Sequence, residues 1–113
     1  MSSITTHILD TSLGQPAARV KAVLALQSGA DWQDLGQGVT NSDGRIAGLL
    51  APEHCLQPGV YRLQFETQAY FERQQRQSFY PRVDILFHVV DGGQHYHVPL
   101  LLNPYGYSTY RGS

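Results

Sequence analysis

The sequence predicts an all-β domain, a two-sheet β-sandwich of seven to eight short strands with one short surface helix. Three observations predict it. Apolar and polar residues alternate with a period of two through most of the chain, as half-buried strands require. Clusters of Gly, Pro, Asn and Asp interrupt that alternation and mark turns. One long stretch, Thr67 to Gln77, drops the alternation without containing Gly or Pro.

Ile4 to Asp10 is the first β candidate, ended by the polar turn Thr11-Ser12-Leu13-Gly14-Gln15-Pro16. Val20 to Gln27 carries apolar residues on both faces, as an inner strand does. Ser28-Gly29-Ala30-Asp31 turns the chain into Trp32 to Thr40, where Gly36 and Gly38 point to a bulge or a twisted edge. Asn41-Ser42-Asp43-Gly44 is the strongest turn in the chain, because Asp-Gly tolerates positive φ and Asn bonds locally to backbone; Arg45 follows at once. Val60 to Glu66 alternates cleanly, with Tyr61, Leu63 and Phe65 on one face. Thr67 to Gln77 reads as the surface helix, with Thr67 placed as its N-cap and Ala69, Tyr70 and Arg73 at helical spacing. Phe79-Tyr80-Pro81 ends it. Val83 to Val90 alternates again, Asp91-Gly92-Gly93-Gln94 reads as a hairpin turn, and His95 to Leu102 reads as its return strand. Pro99 suggests that this strand lies at an edge. After Asn103-Pro104, Tyr105 to Arg111 is the last strand candidate.

Bulk properties narrow the function classes. The 113 residues fit one domain, 1–113, and 42% hydrophobic residues suffice for a core. Charged residues are 15%, low enough to favour a buried interface between copies. With eight basic residues against nine acidic, a net charge of -1 and Lys21 as the one lysine, nucleic acid is excluded as a partner. No apolar run approaches the ~20 residues of a membrane span. Met1 to His7 has neither a basic nor an apolar leader region, so the expectation is a soluble cytoplasmic protein. The single cysteine, Cys55, cannot form an internal disulfide and is expected as a small buried hydrophobe.

Three stretches carry a family resemblance. His7-Ile8-Leu9-Asp10-Thr11-Ser12-Leu13-Gly14-Gln15-Pro16-Ala17 is similar to the opening strand and turn of 5-hydroxyisourate hydrolases of the transthyretin-like family. Thr40-Asn41-Ser42-Asp43-Gly44-Arg45-Ile46 resembles the family's turn-then-arginine element. His97 to Ser113, ending Tyr110-Arg111-Gly112-Ser113, is the most specific, because the family typically ends in Tyr-Arg-Gly-Ser and the hormone carrier transthyretin lacks that ending. Asn103 stands where a serine is expected before Pro104, a turn position of little consequence.

The resemblance implies a transthyretin-like sandwich and hydrolysis of 5-hydroxyisourate to 2-oxo-4-hydroxy-4-carboxy-5-ureidoimidazoline in urate breakdown. It implies no cofactor, no metal, and a homotetramer built as a dimer of dimers with active sites where subunits meet. It assigns catalysis to His7, Arg45, His97 and Ser113, and substrate contacts to His7, Arg45, Tyr110 and Arg111. The chemistry suits those residue types. Ring opening by water needs a base, which an imidazole of pKa about 6.5 supplies, and a donor or positive charge for the oxyanion, which a guanidinium supplies. Whether His7 or His97 takes the proton stays open. A terminus such as Ser113 can serve only if something holds it, and a neighbouring subunit is the natural candidate.

His95-x-His97 puts two imidazoles on one strand face, and His7 or His88 could complete a zinc site in a metal-dependent hydrolase, though no Cys or carboxylate pattern supports one. A non-catalytic carrier of a small ligand would share the fold but has no use for a base opposite an arginine. A surface adhesion domain is disfavoured by the lack of a leader. His54, His88 and His95 otherwise have only surface or packing roles.

Overall fold

Strand β1 (Ile4–Asp10) turns the period-two pattern into architecture: Ile4, Thr6, Ile8 and Asp10 are buried, while Thr5, His7 and Leu9 are half-buried on the outer face. The computed structural model describes residues 4–113; Met1–Ser3, part of the opening read for a leader, lie outside the described residues. The chain continues through β2 (Gln15–Pro16), β3 (Lys21–Ser28), β4 (Asp31–Val39), β5 (Arg45–Ile46), β6 (Gly59–Phe65), α1 (Thr67–Glu72), β7 (Val83–Val89), β8 (Tyr96–Asn103) and β9 (Gly106–Thr109). One sheet runs β2-β1-β8-β9, with β5 also paired to β1, and the other runs β4-β3-β6-β7. Their inner faces share a core that includes Ile8, Leu24, Tyr61, Leu63, Phe65, Val83, Leu100 and Leu102. The predicted two-sheet sandwich with one short helix is the observed fold.

The strands found by alternation are present, and the expected bulge lies on β4. Leu24 faces Gly36 and Ala25 faces Asp34, so Leu35 is the extra residue on an edge strand. The Asn41–Gly44 turn carries the chain from one sheet to the other. Asn41 Oδ1 accepts from the Asp43 and Arg45 N–H groups at 2.9 and 3.1 Å. Gly44 has φ +76°, and a Cβ there would lie 2.4 Å from the Ile8 carbonyl oxygen, so glycine alone fits against β1.

Four expectations are corrected. Asp91–Gln94 is not a hairpin turn: β7 pairs with β6, whereas β8 runs parallel to β1 in the other sheet. Buried Tyr96 pins this crossing, its hydroxyl donating to the Asp91 carbonyl at 2.9 Å and accepting from the Asp91 N–H at 3.1 Å. β8 is an inner strand, between β1 and β9. Cys55 is exposed, in the irregular segment between β5 and β6. Thr67 is the first helical residue rather than the N-cap, which is Glu66, and no side chain caps the helix.

The helix is also shorter than predicted, and its end has a purpose. Arg76 N–H donates to the Phe71 carbonyl and Gln75 N–H to Glu72, with Gln75 at φ +57°, the Schellman pattern with a left-handed closing residue. This reversal sends Arg76 back to β1. Asp10, fully buried, accepts from Arg76 Nη2 at 2.5 Å, Tyr70 Oη at 2.7 Å, and the Ser12 N–H and Oγ at 3.0 and 2.5 Å. Burial works against this carboxylate, but the bonds from Ser12, Arg76 and Tyr70 outweigh it and hold its pKa below the ordinary value. Asp10→Asn is therefore expected to cost on the order of 3 kcal/mol in urea unfolding, because it breaks a buried, hydrogen-bonded ion pair. A carboxyl with a depressed folded pKa contributes stability above about pH 4 and loses it as pH falls through the folded value. Between pH 5 and the acid limit, wild-type melting temperatures should accordingly fall more steeply than those of Asp10→Asn.

Candidate active site

The outer face of the first sheet gathers most of the candidate residues. Antiparallel pairing sets Arg45 on β5 opposite His7 on β1, and parallel pairing sets Pro99 beside His7 and His97 beside Thr5. Directly paired residues share a face, so Arg45, His7 and Pro99 form one row and Thr5 and His97 the next. His7 and His97 are half-buried and Arg45 is exposed.

The end of the chain closes over the second row. Gly112 N–H donates to the His97 carbonyl at 2.9 Å, continuing the β8–β9 register past a gap at Pro99 and Val98. The His97 carbonyl faces this segment, and by alternation so does Pro99, which has no N–H to give. The ladder lapses at the Pro99–Tyr110 position for that reason, and a proline is tolerated in an inner strand. Within the chain itself, the terminal segment is tied to β8 by this bond. Ser113, one residue past the His97–Gly112 bridge, is exposed.

The surroundings of His97 act on its proton affinity. Burial first, then the charges of Arg45, His95 and His7, hold the His97 imidazole below its ordinary value of 6.5, against a smaller opposing effect of the Thr5 backbone. His97 is therefore neutral at pH 7, with a lone pair available. Strand pairing brings His7 and Arg45 into the adjacent row, and His95 stacks on its ring.

Arg111 does not join this group. Its guanidinium donates to Gln94 Oε1 at 3.0 Å and the His95 carbonyl at 3.2 Å and lies over the Tyr96 ring, 4.6 Å from its centroid. It clamps the terminal segment onto the β7–β8 connection. Tyr110, 58% exposed, borders a cleft of about 310 Å³ between the edge of β7 and the terminal segment, which His97 reaches but His7 and Arg45 do not line. Among the described residues, no three His, Cys, Asp or Glu side chains form a group that could hold a metal ion; His95 and His97 lie stacked with both rings turned to Thr5.

Sequence reasoning missed Thr5 and Gly112, and weighed His95 only as a zinc ligand or a packing residue. Thr5 Oγ1 is 2.7 Å from His97 Nδ1, and His95 stacks on His97. A Cβ on Gly112 would fall 2.6 Å from His97 Cδ2 and 3.2 Å from Pro99 Cγ. The repeated Thr5-x-His7 and His95-x-His97 spacings were the available clue. Gly112→Ala is expected to displace the terminal segment, seen as shifted His97 ring resonances and faster exchange of the residue 112 amide. The melting temperature should change little, since the segment is exposed.

The model described as the HIUase/Transthyretin family matches residues 4–112. A 5-hydroxyisourate hydrolase of Salmonella dublin is 46% identical over 97% of this chain and 80% of its own. The structure of Klebsiella pneumoniae 5-hydroxyisourate hydrolase is 41% identical, with TM-score 0.85, covering 99% of this chain and all of that one. Sea bream transthyretin in complex with thyroxine aligns with TM-score 0.91 at 31% identity, covering 98% of this chain and 95% of that one. With the match spanning nearly every residue, the chain belongs to the HIUase/transthyretin family.

Proposed function

We propose that this chain is a 5-hydroxyisourate hydrolase, opening its substrate's six-membered ring with water. The observation that carries the reading is the outer-face group of His7, Arg45 and His97, in which a neutral imidazole sits near a fixed guanidinium. The relatives support the enzyme over a carrier: 5-hydroxyisourate hydrolases of Salmonella dublin and mouse are 46% and 43% identical over nearly the whole chain.

In this reading one neutral histidine, His97 or His7, takes a proton from water as the oxygen attacks the amide-like carbonyl carbon. Arg45 stabilises the resulting oxyanion. The C–N bond then breaks, and the departing nitrogen recovers the proton. The second histidine, Tyr110 and the Ser113 hydroxyl orient the flat polar ring, and Arg111 acts on the substrate through the segment it clamps. Nothing in this step transfers an electron.

A homotetramer belongs to the same proposal. Edge strands β7 and β9 present unpaired backbone together with exposed Leu86 and Tyr107, and Val90 and Tyr105 lie exposed beside them. Joining copies along these edges would bring outer faces near one another. A cytoplasmic setting is proposed with it, and the exposed, unpaired Cys55 suits a reducing compartment.

Absorbance decay of freshly generated 5-hydroxyisourate tests the activity. Wild type should accelerate decay, while His97→Asn and Arg45→Ala should each lower kcat/KM by ~10²-fold or more. No acceleration by folded wild type would leave a small-ligand carrier as the better account. If His97 is the base, the acid limb of the kcat/KM profile should lie below pH 6.5, since a depressed imidazole stays neutral to lower pH. Removing the charge in Arg45→Met should raise the His97 titration towards 6.5, read by ring NMR. Gel filtration at monomer mass with full activity would contradict the shared assembly.

A further inference from the structure

One hydroxyl meets two imidazoles at the start of β1. Thr5 Oγ1 is 2.7 Å from His97 Nδ1 and 3.1 Å from His95 Nε2. The two rings lie stacked, with centroids 6.5 Å apart and planes 13° from parallel. A threonine hydroxyl has one proton to donate and lone pairs to accept with. Bridging two neutral imidazoles, it gives its proton to one and accepts from the other, so their tautomers are coupled. Accepting from both would leave its own proton to solvent.

The consequence for His97 follows atom by atom. When His95 offers Nε2 as a lone pair, Thr5 donates to it and accepts from His97 Nδ1–H. His97 Nε2 then carries the lone pair that a general base needs. When His95 is protonated, its Nε2–H donates to Thr5, which turns its proton to His97 Nδ1. His97 then holds its proton on Nε2 and cannot abstract one there. We propose that Thr5 is a positioning residue that sets the His97 tautomer, with His95 deciding which way its proton turns. This inference rests on the hydrolase reading, with His97 as the base.

The surroundings make the tautomer matter. His7 from β1, Arg45 from β5 and Arg111 from the terminal segment, which bonds the His95 carbonyl, all face this pair with positive or potentially positive groups. Burial together with Arg45, His95 and His7 holds the His97 imidazole below its ordinary value. Once the charge is settled, reactivity depends on which nitrogen holds the proton.

Two-dimensional ring ¹⁵N NMR of the full chain reads both nitrogens of His97 directly. In wild type at about pH 8, His97 should be mainly the Nδ1–H form, and Thr5→Val should shift it towards Nε2–H. Thr5→Ser should restore it. In His95→Ala, where Thr5 keeps His97 as its one ring partner, the His97 tautomer should no longer change with pH. In the decay assay, Thr5→Val should lower kcat at least ~10-fold, with KM within about twofold and Thr5→Ser near wild type, as expected when a positioned base worth ~10²–10⁴ is misoriented. Unchanged His97 nitrogen shifts in Thr5→Val, or failure of Thr5→Ser to restore them, would overturn the inference while leaving the hydrolase reading intact. If wild type itself fails to accelerate decay, the hydrolase reading falls, and the nitrogen shifts alone decide the Thr5 coupling.

Discussion

Strand β1 has to satisfy two opposite faces at once. A slip of one residue would bury His7 and expose Ile8, losing the site and the core together. Asp10 stands at the end of this strand, fully buried, and is held by Ser12, Tyr70 and Arg76. A carboxylate with those donors cannot move to the outer face without giving up all of them. The Thr6 hydroxyl, donating to the Val98 carbonyl at 2.7 Å, adds a second tie to β8. With β1 fixed, Arg45 on one side and His97 on the other fall into place through pairing alone. The short helix matters mainly because it delivers Tyr70 and Arg76 to that carboxylate.

The fold by itself does not separate a carrier from an enzyme. A thyroxine-bound transthyretin aligns with a TM-score of 0.91 and a 5-hydroxyisourate hydrolase with 0.85, yet the hydrolase shares more sequence. The proposed function therefore rests on side chains of one sheet face. There a desolvated imidazole, a guanidinium and a terminal segment anchored to the His97 carbonyl stand together.

Local patterns in the sequence were legible, and non-local pairing was not. The alternation in Ile4–Asp10 and Val60–Glu66 reports which side chains are buried, because one strand contains that information. Asp91-Gly92-Gly93-Gln94 has the composition of a hairpin turn, but nothing within it tells that β8 will leave β7 for β1. His7, Arg45 and His97 were found through family resemblance, which stands in for the missing long-range information. Thr5 escaped notice because its partners are 90 and 92 residues away, and a threonine in a strand looks ordinary. Cys55 was misplaced since its segment lies outside both sheets, where alternation says nothing about burial.

The central claim is that chemistry takes place over the row of His7 and Arg45 beside His97, not in the cleft between β7 and the terminal segment. A crystal structure of the protein soaked with a stable, planar oxo-heterocycle resembling the substrate tests this most directly. The account predicts the ring lying over the outer face of β1, with an oxygen against the Arg45 guanidinium and an edge at a histidine nitrogen. A ligand found only in the cleft lined by Leu86, His88 and Tyr110, with the His7 face empty, would contradict it.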